Sequence, residues 1–457
     1  MSINKNRPKN PAAEGVYMVS LGCPKNLVDS EVMAGLLVSS GIPLNFDLES
    51  ARYFLVNTCA FLPGARSECQ RVIEEGIRWK NAAPQVRKLI VAGCLIQQDK
   101  NQEIRSLYPE VDAWSGVDGV GDIVRTLENA DGGSTVGDSD LPTYLYNEAT
   151  PRLQLTLPHV AYLKVADGCN NCCSYCSIPL IRGRLRSRSV ESVVKEAQSL
   201  IESGVYEIIL IAQDITAYGA DRSDGATLAK LLHELDKLNG DYCLRLLYTH
   251  PAHYTDEFFV EYAVNKHLLP YLDIPLQHIN DAILQQMGRK CSRQTIEDVL
   301  RKIRASRPDS TIRTTFITGL PGEGKAEFAE LLEFVKNQKF DRLGVFSYSP
   351  EPGTPAAERT DRVDTTEADR RAEIIMEAQR KISLAGNRAL KGQKLTVICD
   401  SVSGHGRKAI GRVLTKDAPE IDNLVHLSSR NRPLYAGRVY QATVSEAETF
   451  DLYAIVC

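Results

Sequence analysis

Three apolar runs near the start of the chain, MVSLGC, FLVNTC and LIVAGC, each close on a small or polar pair and then a cysteine. They place Cys23, Cys59 and Cys94 at intervals of 36 and 35 residues. The segments between them, SEVMAGLLVSSG and SECQRVIEEGIRWK, carry the apolar spacing of amphipathic helices. One strand, one helix and the next strand occupy about that length, so the recurrence predicts βαβ units and a parallel sheet. Parallel strands deliver all three thiols to the carboxyl edge, where open α/β sheets bind ligands. Three convergent thiolates can hold an iron-sulfur cluster and leave one iron open, whereas zinc normally takes a fourth nitrogen or sulfur ligand. The alternative is three unrelated buried thiols, since free cysteine is among the most buried residue types.

The chain of 457 residues, 43% hydrophobic and 25% charged, is too long for one core and predicts two to four domains. Residues 1–14 read as a polar, disordered tail without the apolar stretch of a signal peptide, and no run reaches membrane-spanning length. The expectation is therefore a cytoplasmic protein without a membrane segment. Twelve cysteines in a reducing compartment point to metal or redox chemistry rather than to disulfides. A net charge of −4 gives no general basic field for nucleic acid.

Residues 15–130 form the first α/β domain, and 131–155, rich in Gly, Asp, Ser, Thr and Pro, read as a linker. From 156 to 386 roughly six strands alternate with helices, as in a full or partial (β/α) barrel whose functional groups sit at carboxyl strand ends. Its last helix reads as a connector, with Asp364 and Glu367 at capping-box spacing and Gly392 ending it. Residues 387–457 change to short strands and turns, predicting a small OB-like β-barrel.

The stretch ADGCNNCCSYCSIP follows the candidate first barrel strand and packs Cys169, Cys172, Cys173 and Cys176 within eight residues. Two C-x2-C pairs suit a closed zinc site, but adjacent side chains at 172 and 173 diverge along the backbone and do not readily share one tetrahedral ion. Cys169, Cys173 and Cys176 have the spacing C-x3-C-x2-C with Tyr175 before the last, and this resembles the radical S-adenosylmethionine superfamily. The resemblance implies three thiolates holding a [4Fe-4S] cluster whose fourth iron chelates S-adenosylmethionine, so that reduction cleaves the sulfonium to a radical.

Taken with the strand-end cysteines and the C-terminal β-domain, the chain resembles the radical S-adenosylmethionine methylthiotransferases over almost its whole length. The fold this implies is an N-terminal parallel-sheet α/β domain, a central partial (β/α) radical S-adenosylmethionine barrel and a C-terminal TRAM domain. Ser20–Glu31 (SLGCPKNLVDSE), Asp273–His278 (DIPLQH) and Tyr348–Ala356 (YSPEPGTPA) are similar to the branch that modifies an aspartate of ribosomal protein S12. The branch that modifies a tRNA adenosine carries Arg where this chain has Glu351. The resemblance implies a second [4Fe-4S] cluster on Cys23, Cys59 and Cys94 that carries an exchangeable sulfur. One S-adenosylmethionine would methylate that sulfur, and a second would yield the radical that activates the aspartate β-carbon. It also implies a sulfur donor and a flavodoxin- or ferredoxin-like electron donor, with no direct tRNA substrate.

GLPGEGKA nearly spells a phosphate-binding loop, yet position 326 is Ala where a hydroxyl should hold magnesium. RGRLRSR places Arg182, Arg184, Arg186 and Arg188 at alternate positions, either as a solvated charged face or as a grip on substrate or cofactor carboxylate. Tyr175 beside the cluster, with Gln213 and Asp214 at the end of the second barrel strand, are the candidate cofactor-binding residues; Tyr218 follows them. His250 and His278 also follow strands and read equally well as structural histidines. Cys69, Cys243, Cys291, Cys399 and Cys457 lack partner spacing and read as unliganded. Two other functions fit parts of the pattern: a tRNA methylthiotransferase, and a non-catalytic zinc-binding scaffold on the four central cysteines. Residues 386–457 hold ten Lys/Arg against seven Asp/Glu, a weak excess for an RNA-gripping barrel.

Overall fold

The computed structural model describes residues 14–130 and 141–457. The predicted tail falls almost wholly on residues 1–13 and part of the linker on 131–140, both outside the described residues. The chain divides into two compact units: one gathers residues up to Leu155 with Asp167–Asn170 and Ser177–Arg186, and the other holds the remainder to Cys457.

In the first unit, strands β1 (Val16–Ser20), β2 (Tyr53–Thr58), β3 (Lys88–Gly93) and β4 (Ala113–Ser115) form a parallel sheet in sequential order. Registers Ser20↔Asn57 and Thr58↔Gly93 align the carboxyl ends. Helices α1 (Pro24–Ser39), α2 (Pro63–Asn81), α3 (Cys94–Gln98), α4 (Glu103–Leu107) and α5 (Ile123–Ala130) connect and follow the strands. The helix α1 and α2 starts carry proline in the first turn, where a missing N–H costs nothing and φ is already helical. The α2 helix lies so close to the sheet that a Cβ on Gly76 would sit 2.6 Å from Leu89 Cδ1. Residues 151–155 of the predicted linker run as an ordered strap over α1. There the buried Glu31 carboxylate accepts from the Leu155 amide at 2.7 Å and from the Arg152 guanidinium at 2.5 and 2.9 Å.

The second unit holds a six-stranded parallel sheet in sequential order: Val160–Lys164, Glu207–Ile211, Cys243–Leu246, Leu268–Gln277, Thr311–Thr318 and Arg342–Ser347. Its first and last strands are the two edges, so the expected partial barrel is what forms. Three of the four inner strands are nearly all buried and rich in Ile and Leu, as a parallel sheet covered on both faces requires. The C-terminal strands, Lys394–Ser403, Lys408–Val413, Val425–Ser428, Val439–Ala447 and Leu452–Val456, close into a five-stranded barrel, as expected.

The helix between them, Thr365–Ala389, differs in detail from the sequence reading. Asp364 caps it by accepting from the Thr366 amide at 2.9 Å, but Glu367 turns outward to Arg370 and Arg371 instead of completing a capping box. It is also more than a connector: Ile375 is buried, and Gln379 donates to the Phe340 carbonyl at 2.9 Å.

Candidate functional site

The carboxyl edge of the first sheet receives the three predicted cysteines. Cys23 is the N-cap of α1, Cys59 directly follows β2, and Cys94 opens α3 directly after β3. The glycines before the first and third are required by crowding. Gly22 has φ +93°, and a Cβ there would sit 2.5 Å from Cys59 Cβ; Gly93 has φ +101°, and a Cβ there would sit 2.3 Å from Asn57 Oδ1. Beneath them, Asn57 donates to the Asn26 carbonyl at 2.9 Å and to Ser30 Oγ at 2.8 Å, tying the α1 start to the end of β2.

Burial pushes the Cys94 thiol up to about 12 against the pull of Arg182, and Cys23 and Cys59 add to the rise. Burial raises Cys59 as well; hydrogen bonding from Phe61 opposes this and the charge of Cys23 adds to it. Cys23 and Cys59 thus lie within electrostatic reach of Cys94, and the Cys59 and Cys94 thiols resist ionisation until a cation shares the thiolates. Such a set releases protons as it takes up metal.

Two neighbours of this set escaped the sequence reading. Cys69 on α2 receives the Cys59 amide at 3.2 Å and donates its S–H to the Cys59 carbonyl at 3.3 Å, fixing the backbone at Cys59. A lone cysteine inside an amphipathic helix carries no local sign of this. Arg182 is buried, with Nη2 3.0 Å from Cys94 Sγ and Nη1 2.6 Å from Asp29 Oδ2. The solvated reading of RGRLRSR is therefore corrected for two of its members. Arg182 is enclosed, and Arg188 is enclosed with Glu196 at 2.5 Å, while Arg184 alone of the four is exposed.

Cys169 belongs to the first unit, where its amide donates to the Gly183 carbonyl at 3.1 Å. Gly168 before it has φ +79°, and a Cβ would sit 2.0 Å from the Arg184 carbonyl oxygen. Cys172, Cys173 and Cys176 belong to the second unit. Cys172 adopts φ +51° and is exposed, whereas Cys173 is buried, so the neighbouring side chains do diverge. The Cys176 amide donates to the Cys173 carbonyl at 3.0 Å, closing a turn that brings both thiols onto one loop. Arg289 is buried with Nη1 3.8 Å from Cys173 Sγ. Tyr175 packs with Ile283, Met287 and Leu320, and burial holds its hydroxyl well above the usual phenol range.

Asp214 anchors the same loop from the second barrel strand. Its Oδ2 accepts from Asn171 Nδ2 at 2.7 Å and lies 2.7 Å from His253 Nδ1, and its Oδ1 accepts from Thr216 Oγ1 at 2.6 Å. Burial opposes its charge, but the His253 hydrogen bond and the two nearby histidines hold the carboxyl down at about 2. Gln213 is half-buried beside it. Tyr218 is buried and spends its hydroxyl on the Arg188 carbonyl at 2.8 Å. His250 and His278 are buried and both held down at about 3, His278 by burial and His250 by burial and the charge of Arg289. In the near phosphate-binding loop, Glu323 Oε2 accepts from the Gly319 amide at 2.9 Å and Oε1 pairs with Arg371 at 2.7 Å, so a carboxylate already occupies the anion position. Asn171, His253 and Arg289 also escaped the sequence reading. Asn171 lies inside the cysteine loop itself, the one signal that pointed to it.

Three family models match the chain: an uncharacterized protein family, UPF0004, over residues 15–116, the radical SAM superfamily over 163–335 and the TRAM domain over 392–457. A ribosomal protein uS12 methylthiotransferase RimO of Syntrophotalea carbinolica is 41% identical over 96% of this chain and 95% of its own length. A protein of the same name from Syntrophus aciditrophicus is 42% identical over 96% of this chain and 98% of its own. Among solved structures, the radical S-adenosylmethionine methyltransferase TsrM of Kitasatospora setae covers 76% of this chain and 75% of its own at TM-score 0.56 and 15% identity, a likeness of fold.

Proposed function

Because the chain belongs to the radical S-adenosylmethionine methylthiotransferases that act on ribosomal protein uS12, we propose that it adds a methylthio group to an aspartate β-carbon of that protein using two [4Fe-4S] clusters and two molecules of S-adenosylmethionine. One cluster is assigned to Cys23, Cys59 and Cys94 and the other to Cys169, Cys173 and Cys176. The observation that carries this reading is the first site: three cysteines at one sheet edge, with Cys23 close enough to act on the charge of the other two and a guanidinium already on the Cys94 sulfur. The donor set fits a cluster bound by three thiolates with one iron open. When bound, the clusters supply the electron for reductive cleavage of S-adenosylmethionine and a sulfur that can be methylated and transferred. An unactivated C–H bond offers neither an acidic proton nor an electrophile, so side-chain acid-base chemistry does not suffice.

The chain's own residues hold the ligands in place. Arg289 stands beside Cys173 and offsets thiolate charge in a buried setting. Tyr175, Gln213 and Asp214 are assigned to the cofactor side of the loop, and Asp214 acts there through Asn171, which it grips at 2.7 Å. The same reading assigns electron supply to a flavodoxin- or ferredoxin-like donor and places the enzyme in the cytoplasm. Consistent with this, no helix among the described residues is long and apolar enough to cross a membrane. Mass spectrometry of uS12 and of tRNA from a strain lacking this chain tests the substrate. The expected result is uS12 without its added methylthio mass and unchanged tRNA nucleosides; the reverse pattern contradicts the proposal.

A further inference from the structure

Arg182 follows the central cysteines in sequence, yet its side chain is spent on the first set. Its side chain is 4% exposed. Nη2 lies 3.0 Å from Cys94 Sγ and 3.2 Å from Asn26 Oδ1, and Nη1 lies 2.6 Å from Asp29 Oδ2 and 3.3 Å from Asp167 Oδ2. Two carboxylates hold this guanidinium whatever the state of Cys94, so the cation is a fixed feature of the site. Its backbone is fixed as well. The neighbouring Gly183 carbonyl accepts from the Cys169 amide at 3.1 Å, the Leu185 amide donates to Asn170 Oδ1 at 3.1 Å, and Arg186 Nη1 donates to the Arg182 carbonyl at 3.0 Å. A single short segment thus bonds the main chain of one assigned cluster ligand and the sulfur of another.

We propose that Arg182 is a positioning residue for the first cluster site: it orients Cys94, and by donating to its sulfur raises the one-electron reduction potential of a cluster held by Cys23, Cys59 and Cys94. The inference rests on the two-cluster reading above. A donor on a ligating thiolate withdraws charge from the metal and favours the reduced, more negative cluster, and hydrogen bonds to sulfur are one of the levers that set such potentials. The Asp29 and Asp167 carboxylates pair with the opposite nitrogen, which leaves the Nη2 donor directed at the sulfur.

The test uses the full-length chain with Cys169→Ala, Cys173→Ala and Cys176→Ala combined, so that only the first site can load. After anaerobic reconstitution, iron and sulfide are counted and the cluster is titrated with dithionite under electron paramagnetic resonance. The parent is expected to hold about four irons. Adding Asp29→Asn with Arg182→Met removes the closer buried pair together and leaves only the more distant Asp167 carboxylate without the guanidinium. The expected result is a potential shifted to more negative values, or loss of iron with an unchanged melting curve. Should that double variant fail to fold, Arg182→Lys decides: it keeps a cation for Asp29 and Asp167 but loses the forked donor, and a negative shift is expected there too. Variants that load fully and titrate at the parent potential overturn the inference alone. A parent that takes up no iron overturns the two-cluster reading and this inference with it.

Discussion

Cys172 and Cys173 are adjacent in sequence and opposite in fate, because a left-handed backbone at Cys172 sends one side chain to solvent and the other inward. Cys172→Ser is expected to keep iron content and activity within about twofold, whereas Cys173→Ala should lose about half the iron, as read by iron and sulfide assay. Gly22→Ala probes the first site in the same way. The added Cβ meets Cys59 in a backbone region that disfavours side chains, so loss of the first cluster and about 1–3 kcal/mol of stability are expected in metal analysis and denaturant unfolding. The six candidate ligands stand out in the sequence because strand periodicity and C-x3-C-x2-C spacing are local patterns. Arg182 was not, since four alternating arginines look alike until burial separates them. Asn26 and Asp29, which share its pocket, lay within the SLGCPKNLVDSE motif but gave no sign of a partner so far along the chain.

The strand-helix rhythm gave the parallel order of both sheets, since each apolar run and each amphipathic segment declares itself over a few residues. What it could not give was competition between side chains, as where Glu367 leaves the Asp364 cap for two arginines. Nor could it show that the end of the strand Leu268–Gln277 turns His278 into the interior. An ordinary histidine takes a proton near pH 6.5, but burial lets folded His278 do so only near 3. Between these values the unfolded chain binds more protons, so His278 lowers stability as pH falls, by at most about 1.4 kcal/mol per pH unit. His278→Asn retains an acceptor for the Asn280 amide that His278 Nδ1 now serves at 3.0 Å, and urea unfolding at pH 7 and 5 should show a smaller loss than in the parent. An unchanged pH slope contradicts the assignment.

At the scale of the molecule, the six-stranded sheet and the C-terminal barrel fall in one compact unit. Charged residues link the two. Glu207 is fully buried between Arg245 at 2.6 Å and Arg412 at 2.9 Å, and Arg412 also holds Asp400 at 2.7 Å. Charges read as surface from sequence, and their pairing across some 200 positions leaves no local trace. Arg412→Met leaves excess buried negative charge and is expected to cost about 3–5 kcal/mol in thermal or denaturant unfolding. The central claim is that this one chain carries two separate cluster sites. Iron and sulfide content of the reconstituted wild type beside Cys59→Ala and Cys173→Ala tests it most directly. About eight irons in the wild type and about four in each variant are predicted, whereas a wild type with about four irons, or variants that lose both clusters together, would contradict it.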